Sequence, residues 1–359
     1  MLFAFVGLFC SLDAADTVKV EDDYLQGYLK AFLDINYNDF DMDVKVEDGE
    51  VLLYNMPNND YIKSKVLASV EDFTPDNRGV KLNANDASPR KVCKTSWFPQ
   101  SSLLFTPPLA DPRRAEFSIG YRISDSLFSH YVTAGTIGDV FPIYRINNMR
   151  LGKLNGDFEL AIEPGVWSVF DADDSSFSQI NTDYRIGITA NYACQKGLSF
   201  RARLYHVSAH LGDEYILKNN ITTEMRKNLS YESIDLLAAY NINSDFRVYG
   251  GFGVVLASDN EFSIQPLSVE YGAEVKVLKR EYAGGKLYGQ PFLAMHFENS
   301  EDDHWNQNSN YALGYEWGRT NCAGRKVRLS AEYHQGYSLE GQFRREQTDY
   351  GTLKISYSY

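Results

Sequence analysis

Residues 348–359 read Thr-Asp-Tyr-Gly-Thr-Leu-Lys-Ile-Ser-Tyr-Ser-Tyr, and apolar side chains alternate with polar ones along the second half of this stretch. Successive side chains of an extended strand point to opposite sides, so alternate residues share a face. One face of this strand collects the apolar and aromatic residues Leu353, Ile355, Tyr357 and Tyr359. Segments of similar length with the same alternation recur upstream as far as Ala115. The repeated pattern predicts a large antiparallel sheet.

The alternating segments predict twelve strands, an even number as in single-chain membrane barrels. They lie near residues 115–124, 130–146, 157–170, 183–193, 198–211, 229–241, 245–257, 266–278, 286–298, 310–320, 326–337 and 348–359. Long polar connections follow most odd-numbered strands, and tight turns follow most even-numbered ones. The short connection at 125–129 and the long one at 147–156 are exceptions.

The face opposite the apolar one carries charges of both signs. These residues are Glu116, Arg122, Glu159, Glu163, Arg185, Arg201, Arg203, Asp235, Arg247, Glu270, Glu316, Arg328 and Glu332. A soluble sandwich or barrel would have to bury them in a dry core, which is too costly. We therefore expect residues 115–359 to form a transmembrane β-barrel with a filled or narrow lumen. A lumen charge network is expected to include Arg201, Arg203, Glu270 and Glu332.

Composition agrees with a membrane barrel and excludes other classes. Aromatic residues make up 14% of the chain, as expected where strands and two membrane interfaces need them. The net charge of -13 argues against nucleic acid as a partner, because phosphate binding needs clustered Lys and Arg. No stretch of eighteen apolar residues is present, which argues against a helical membrane protein.

The chain begins with an apolar segment, Met1 to Phe9, followed by the small residues Ala14 and Ala15. This order predicts a signal peptide at residues 1–15 and export from the cytoplasm. The expected location is the bacterial outer membrane, with the segment before the barrel in the periplasm.

Residues 16–85 predict a small α+β domain. Apolar residues at helical spacing between Tyr24 and Leu33 predict one helix, and a second helix is predicted over 62–70. The stretch 43–54, with its Asp48-Gly49 turn, predicts a hairpin, and 80–82 a closing strand. This order resembles the BON domain, a lipid-binding module of the bacterial envelope. The alternative is a generic α+β module that spaces or plugs the barrel.

Residues 86–114 predict a connector without regular structure, since five prolines lie between Asn83 and Arg114. The connector nevertheless contains Trp97-Phe98-Pro99 and a second apolar stretch at 103–105. It is too apolar for a free linker, so we expect it to pack against the barrel base or to enter the lumen.

The predicted strand 198–211 carries the candidate catalytic residues. Arg201 and Arg203 must face the lumen, and strand parity then places His206 and Ser208 on the lipid side, near the outer interface. Side chains two residues apart lie about 6 to 7 Å from each other, so a histidine can reach a neighbouring serine hydroxyl. A base beside a nucleophile is the arrangement that acyl transfer requires.

Glu232 is the expected third member, because parity places it on the lipid side of the adjacent predicted strand. The set resembles outer-membrane phospholipase A and the lipid A deacylases, which carry a His-x-Ser pair on the barrel exterior. The resemblance implies hydrolysis of acyl esters in phospholipid or lipid A. The third member and the residues after Ser208 depart from the phospholipase pattern, which leaves the substrate open. The alternative is a non-enzymatic barrel, either a narrow pore or a tethering protein, with these residues in an interfacial belt.

Acidic residues in the predicted outer loops suggest a cofactor. Asp213 and Glu214 follow the strand that carries Ser208, and carboxylate oxygens are ligands that Ca²⁺ prefers. Solvated loop charge is the alternative for each acidic cluster.

Three cysteines of the exported chain, Cys93, Cys194 and Cys322, fall in segments expected at the periplasmic end. One disulfide is expected in that oxidising compartment, and its pairing is open. The odd thiol allows a link to another chain and hence a homodimer.

Two further resemblances concern location. The terminal aromatic Tyr359 is similar to the C-terminal signal read by the outer-membrane assembly machinery, which would then be a partner. The stretches Trp97-Phe98-Pro99 and Gly138-Asp139-Val140-Phe141-Pro142, with the segment 206–214, resemble an uncharacterised group of outer-membrane proteins of chlamydia-like bacteria. That group implies a location and no activity.

Overall fold

The computed structural model describes residues 14–37, 40, 42–47, 50–57, 60–74, 79–82, 95–99, 102–194, 197–222, 226–283, 287–319 and 324–359. All but the last two residues of the predicted signal peptide, 1–15, lie outside the described residues.

A small α+β unit precedes the barrel. Its elements are α1 (Ala14–Asn36), β1 (Asp43–Glu47), β2 (Glu50–Tyr54), α2 (Asp60–Phe73) and β3 (Val80–Leu82). The central strand β2 pairs antiparallel with β1 and parallel with β3, so that α2 is the crossover between β2 and β3. The elements follow the order that the sequence predicts, and the likeness to a BON domain stays a prediction. Among the described helices, none is both long enough and apolar enough to cross a membrane.

The α+β unit rests on one end of the barrel, called the base below. Its core residues are Leu29, Phe32, Leu33, Val44, Val46, Val51, Leu53, Ile62, Val66 and Val70. Each buried aliphatic side chain of this kind contributes about 1.5–3 kcal/mol. The same cluster includes Leu104 of the connector and Ala193 of the barrel wall. Apolar packing therefore joins the unit to the barrel.

The remaining strands build one sheet that closes on itself. They are β4 (Thr95–Trp97), β5 (Phe117–Ile123), β6 (Tyr131–Gly138), β7 (Phe141–Leu151), β8 (Leu154–Asp171), β9 (Gln179–Cys194), β10 (Leu198–Leu211), β11 (Leu229–Asn241), β12 (Phe246–Ser258), β13 (Leu267–Lys276), β14 (Arg280–Tyr282), β15 (Leu287–Ser300), β16 (Gln307–Arg319), β17 (Lys326–Tyr337) and β18 (Gln347–Ser358). A short helix, α3 (Asp213–Lys218), follows β10.

Twelve strands form the closed antiparallel wall, because β18 pairs with β5 and β8 pairs with β9, while β4, β7 and β14 are additional. The predicted twelve-stranded antiparallel barrel is thus confirmed. The predicted second strand, 130–146, is split: β6 ends at Gly138, and β7 continues along the inner half of β8. The expected long connection at 147–156 is instead the end of the β7–β8 hairpin, which turns at Gly152 with a positive φ of 61°.

The exterior of the wall is apolar, as the alternation requires. The side chains of Ile119 and Leu353, on β5 and β18, are 58% and 57% exposed. Other exposed exterior residues include Ile186, Ile188, Leu204, Phe252, Leu313 and Leu329. A continuous apolar surface of this kind fits hydrocarbon, and the closed sheet leaves no backbone edge for lipid to meet.

The interior is filled with paired charges. Arg145 and Glu159 are entirely buried and form an ion pair across β7 and β8. Glu316 is equally buried and lies 3.1 Å from both Arg328 and Lys276. Buried charges persist when opposite charges and hydrogen bonds satisfy them. The lumen is therefore a packed polar interior.

Residues 102–114 of the connector run inside the lumen and are called the plug below. Three of its apolar side chains pack on inward-facing wall residues: Leu103 with Ala161, Phe105 with Leu237, and Leu109 with Phe292. Its backbone is held as well, since the Leu109 amide donates to Glu274 at 2.6 Å and Arg247 donates to the Thr106 carbonyl at 2.7 Å. The plug blocks the base end of the lumen.

The loop between β17 and β18, residues 338–346, folds inward from the opposite end and is called the cap loop. Glu340 accepts a hydrogen bond from Arg122 at 2.7 Å, and the Gly341 amide lies 3.1 Å from a carboxylate oxygen of Asp183. Gln342 donates to the carbonyl of Ala209 at 3.0 Å. The lumen is thus covered at both ends by the chain itself.

Candidate active site

The candidate catalytic residues lie on two adjacent strands, near the ends far from the base. In the antiparallel register of β10 and β11, His206 is directly opposite Glu232, and Ser208 is directly opposite Ser230. On the other side of β10, Ser208 is opposite Tyr184 of β9. The side chains of His206, Ser208, Ser230 and Glu232 point away from the lumen, because their strand neighbours Tyr205, Val207 and Tyr231 border a cavity inside it.

His206 and Glu232 form the polar contact that defines the site. Nδ1 of His206 lies 2.9 Å from Oε1 of Glu232. If the Glu232 carboxylate accepts this hydrogen bond, Nδ1 of His206 is the donor and Nε2 is the ring nitrogen that faces away from Glu232. Both side chains are about half exposed, at 42% and 50%. The pair is therefore accessible from the barrel exterior.

Ser208 is next along the same face, two residues beyond His206. Within the described part of the chain, its hydroxyl has no hydrogen-bond partner, and no bond joins it to His206. The strand repeat separates the two Cα atoms by about 6 to 7 Å, a distance that side-chain rotation can span. Catalytic hydrogen bonds often shorten only when substrate is bound.

Three features of this surface were not predicted from the sequence. Tyr184 contacts His210 edge to face, with 5.8 Å between ring centroids. Ser230 adds a second hydroxyl beside Ser208. The pairing of β11 with β12 shifts at a bulge between Glu232 and Ser233, and bulges commonly re-aim a side chain. The parity of β9 and β11 could have predicted the two side chains, and the bulge has no signal in the sequence.

An apolar belt borders this polar surface on the base side. Leu204 is two residues before His206 on the same face, and Ile186 lies beside His206 on β9; both are about half exposed. Leu236 continues the belt on β11. On the far side the chain leaves the wall at Gly212. The site therefore lies where the apolar exterior ends.

Residues 58–359, which include the whole barrel, match a family described as protein of unknown function, DUF1207. The chain belongs to the DUF1207 family. No curated protein matches this DUF1207 chain.

Solved barrels resemble the DUF1207 chain in shape alone. Outer membrane phospholipase A from Escherichia coli is 12% identical, with 71% of this chain and 95% of that one covered and a TM-score of 0.45. LpxR from Salmonella typhimurium is 10% identical, with 68% and 100% covered and a TM-score of 0.36. The transport unit of the autotransporter AIDA-I from Escherichia coli is 14% identical, with 72% and 95% covered and a TM-score of 0.34. These low similarities do not distinguish among functions.

Asp213 and Glu214, the expected calcium ligands, begin α3 and are exposed. Negatively charged side chains in the first turn of a helix interact favourably with the positive end of its dipole. This interaction accounts for the position of Asp213 and Glu214. Within the described ranges of the DUF1207 chain, no three His, Cys, Asp or Glu side chains are placed to hold a metal ion. Calcium binding by Asp213 and Glu214 stays a prediction.

The neighbouring acidic loop between β8 and β9 is occupied by internal contacts. Asp171 and Asp174 lie 3.3 Å and 3.1 Å from the ammonium group of Lys218 on α3. Three hydrogen bonds to its carboxylate lower the pKa of Asp174 well below its usual range. The largest effect comes from the Ser178 hydroxyl, and smaller ones come from Ser176 and Lys218. This cluster fastens α3 to the neighbouring loop.

The expected lumen charges of the DUF1207 barrel divide into two groups. Arg201 lies 3.3 Å from Asp235 and 3.6 Å from Glu270, and Arg203 contacts the same Asp235 at 2.6 Å. Glu332 belongs elsewhere, since it pairs with Lys354 at 2.8 Å. Three of the four residues are thus close together and the fourth is separate.

Of the cysteines expected to form a disulfide, Cys194 is a buried thiol at the base end of β9. Cys93 and Cys322 lie outside the described residues. The disulfide stays a prediction.

Proposed function

We propose that this protein is an outer-membrane enzyme that hydrolyses acyl esters of phospholipid or lipid A in the outer leaflet. The observation that carries the proposal is the hydrogen bond between His206 and Glu232 on the barrel exterior, one strand repeat from Ser208. Strand parity places these side chains on one face of the sheet, and it does not by itself bring His206 and Glu232 into contact. The bond orients a base beside a nucleophile at the edge of the apolar surface.

Ser208 is the nucleophile in the proposed reaction. Its oxygen attacks the ester carbonyl while Nε2 of His206 removes the hydroxyl proton. Glu232 holds the imidazole in the required tautomer and stabilises the imidazolium that forms. His206 then gives the proton to the departing alcohol, and water releases the acyl group from Ser208 by the reverse proton path. No step requires calcium.

The position of the site favours a lipid substrate. An ester bond lies between headgroup and acyl chains, so it meets the protein where the apolar exterior gives way to polar loops. Leu204 and Ile186 then contact acyl chains, and the polar residues contact the ester region. The α+β unit at the base, with its likeness to a lipid-binding module, is assigned to the periplasm.

The filled lumen argues against the competing function as an open pore. The plug and the cap loop contact the wall at both ends, and paired charges occupy the space between them. A non-enzymatic barrel with a headgroup-binding belt remains the other candidate, supported by the missing bond between Ser208 and His206. The assembly machinery and a second copy of the chain are the expected protein partners.

The test is release of fatty acid from phospholipid vesicles and from lipopolysaccharide by the detergent-purified protein, with and without calcium. Release by the wild type that disappears in Ser208→Ala is the expected result. Ser309→Ala is the matched control. Ser309 is an exterior serine on β16, near the same end of the barrel as Ser208 but on another part of the wall. Equal, negligible release by all three proteins would favour the headgroup belt, and a calcium requirement would show that the mechanism above is incomplete.

A further inference from the structure

The exterior of the barrel carries a group of arginine, aromatic and leucine side chains at the base ends of β14, β15 and β16, called the rim cluster below. Its members are Arg280, Tyr282, Leu287, Tyr315, Trp317 and Arg319. In the antiparallel register, Arg280 and Trp317 are both opposite Gly289. One strand repeat nearer the base, Tyr282 and Arg319 are both opposite Leu287. Residues opposite each other share a face of the sheet, so these side chains lie on one surface.

This surface is the exterior one. The strand neighbours Gln290 and Glu316 point into the lumen, where Gln290 donates to Glu316 at 2.7 Å and Glu316 also pairs with Arg328. Parity then places Gly289 and Trp317 on the outside. Glu281 takes the other face, because it is opposite the buried Tyr288.

The two arginines of the rim cluster have no carboxylate partner. Arg280 and Arg319 are exposed, and neither guanidinium group makes a hydrogen bond or an ion pair with any residue that the structure describes. Arginines of the lumen differ, since Arg203 and Arg328 each contact a carboxylate. The chain has a net charge of -13, so acidic residues are abundant and yet none lies beside these two cations. The rim cluster therefore has positive charge available for an anion.

The aromatic rings beside Arg280 form a packed platform. The hydroxyl oxygens of Tyr282 and Tyr315 lie 2.8 Å apart, and the ring centroids of Tyr315 and Trp317 are 4.8 Å apart. Both tyrosine rings cover Gly289, where any side chain would collide with them. Tyrosine and tryptophan favour the level of the lipid headgroups, because one end of each ring system is apolar and the other is polar.

The apolar wall begins directly beyond the rim cluster. Leu293 and Leu313 are opposite each other on β15 and β16, farther from the base, and their side chains are 46% and 61% exposed. Acyl chains that contact these leucines place their headgroup phosphates at the level of the rim cluster. With the base assigned to the periplasm, as proposed above, these phosphates belong to the inner leaflet.

We propose that the rim cluster binds an anionic glycerophospholipid of the phosphatidylglycerol class, with Arg280 and Arg319 on its phosphate. Guanidinium groups bind phosphate oxygens through paired N–H donors. Two strand spacings, about 10 Å, and one strand repeat, about 7 Å, separate the two Cα atoms, so two long side chains can reach one phosphate between them. A zwitterionic headgroup fits less well, because its own cation is repelled. The leaflet follows from the proposed orientation, and the site does not depend on ester hydrolysis at Ser208.

The experiment is native mass spectrometry of the full-length, detergent-purified protein titrated with phosphatidylglycerol. Phosphatidylcholine with the same acyl chains is the comparison. The wild type should bind phosphatidylglycerol about tenfold more tightly, since each arginine near a lipid phosphate contributes about 1 kcal/mol. Arg280→Gln combined with Arg319→Gln should abolish this preference. Heat-modifiable migration on gels shows that the variant is folded, and Arg319→Gln alone, which should lower the preference, serves if the double variant is not.

Arg150→Gln combined with Lys153→Gln is the matched control. It removes the same two charges from exposed positions at the tip of the β7–β8 hairpin, which also lies at the base. This variant should keep the wild-type preference. Three results overturn the proposal: equal binding of the two lipids by the wild type, an unchanged preference in the folded rim variant, or an equal loss in the control. Displacement of the lipid by soluble glycerol phosphate at the same concentration would also overturn it, because the ligand would then be a free phosphate.

Discussion

Glu232 determines which nitrogen of His206 carries a proton, and the proposed chemistry depends on that choice. Replacement by glutamine preserves the shape and leaves an amide that can donate as well as accept, so it no longer selects the tautomer. We expect Glu232→Gln to lower kcat for ester hydrolysis about a hundredfold, within the range of general base catalysis, with a smaller change in KM. Initial rates of fatty-acid release give both constants.

The control for this variant is Glu261→Gln, on the loop after β12, which should keep the wild-type rate. Wild-type kinetics in Glu232→Gln would show that the contact with His206 is structural.

At this scale the sequence predicts only part of the site. Arg201 and Arg203 fix the parity of β10, and parity then places His206 and Ser208 outside with no knowledge of the fold in three dimensions. The register that puts Glu232 opposite His206 depends on the connection between β10 and β11, residues 212–228. The side-chain rotamers and the bulge after Glu232 depend on neighbours that no local pattern specifies.

Among the elements, the plug depends on a few apolar anchors. Leu109 is 6% exposed and packs on Phe292, Ala294 and Ala312. Leu109→Ala removes these contacts and leaves a space, so it should lower the free energy of unfolding by about 2–5 kcal/mol. Denaturant titration in detergent measures the change. Leu217→Ala on α3, where the side chain is 77% exposed, should cost much less; equal losses would contradict the packing described here.

The cap loop should respond to acid through Glu340. Burial opposes ionisation of this carboxyl, but attraction to Arg122 and its hydrogen bond lower the pKa to about 2. Because its pKa is lowered, the Glu340 carboxylate stabilises the docked cap loop at pH values above 4.5, the usual pKa of a glutamate. This stabilisation is lost as the pH falls toward 2. Asp125, in the same cluster, acts in the opposite direction, because burial raises its pKa.

We therefore expect pepsin to cleave residues 338–346 much faster at pH 2 than at pH 4, after correction for its rate on a denatured substrate. Glu340→Gln should be cleaved readily at both pH values. A loop equally protected at both pH values in the wild type would contradict this role of Glu340.

Strand boundaries show where alternation is informative and where it fails. The observed limits of β10, β11 and β17 coincide with the predicted ones, since charged residues alternate with apolar ones up to polar turns. The segment 130–151 was predicted poorly, because its break at Asp139-Val140 interrupts the alternation and β7 then takes a shifted register on β8. The path of the plug could not be predicted, since a proline-rich stretch has no period.

For the molecule as a whole, the filled lumen predicts that the intact protein does not conduct ions. A variant with residues 102–112 replaced by a Gly-Ser linker of equal length keeps the tether and loses the anchors. We expect it to show small conductance steps in planar bilayers, because a twelve-stranded barrel without the plug encloses a narrow polar passage. Wild type and Leu109→Ala are the controls. A silent linker variant would mean that wall side chains and the cap loop close the lumen without the plug.

Strands β10 and β11 present His206, Ser208 and Glu232 to the exterior, and the intervening residues Tyr205, Val207 and Tyr231 border the lumen cavity. Only one layer of backbone separates the two compartments. Any change in the packing of these inward side chains that shifts β10 or β11 would therefore also shift the outward side chains on the same strand. Contacts that lipid makes on the exterior of β10 and β11 would by the same connection bear on the packing inside the lumen.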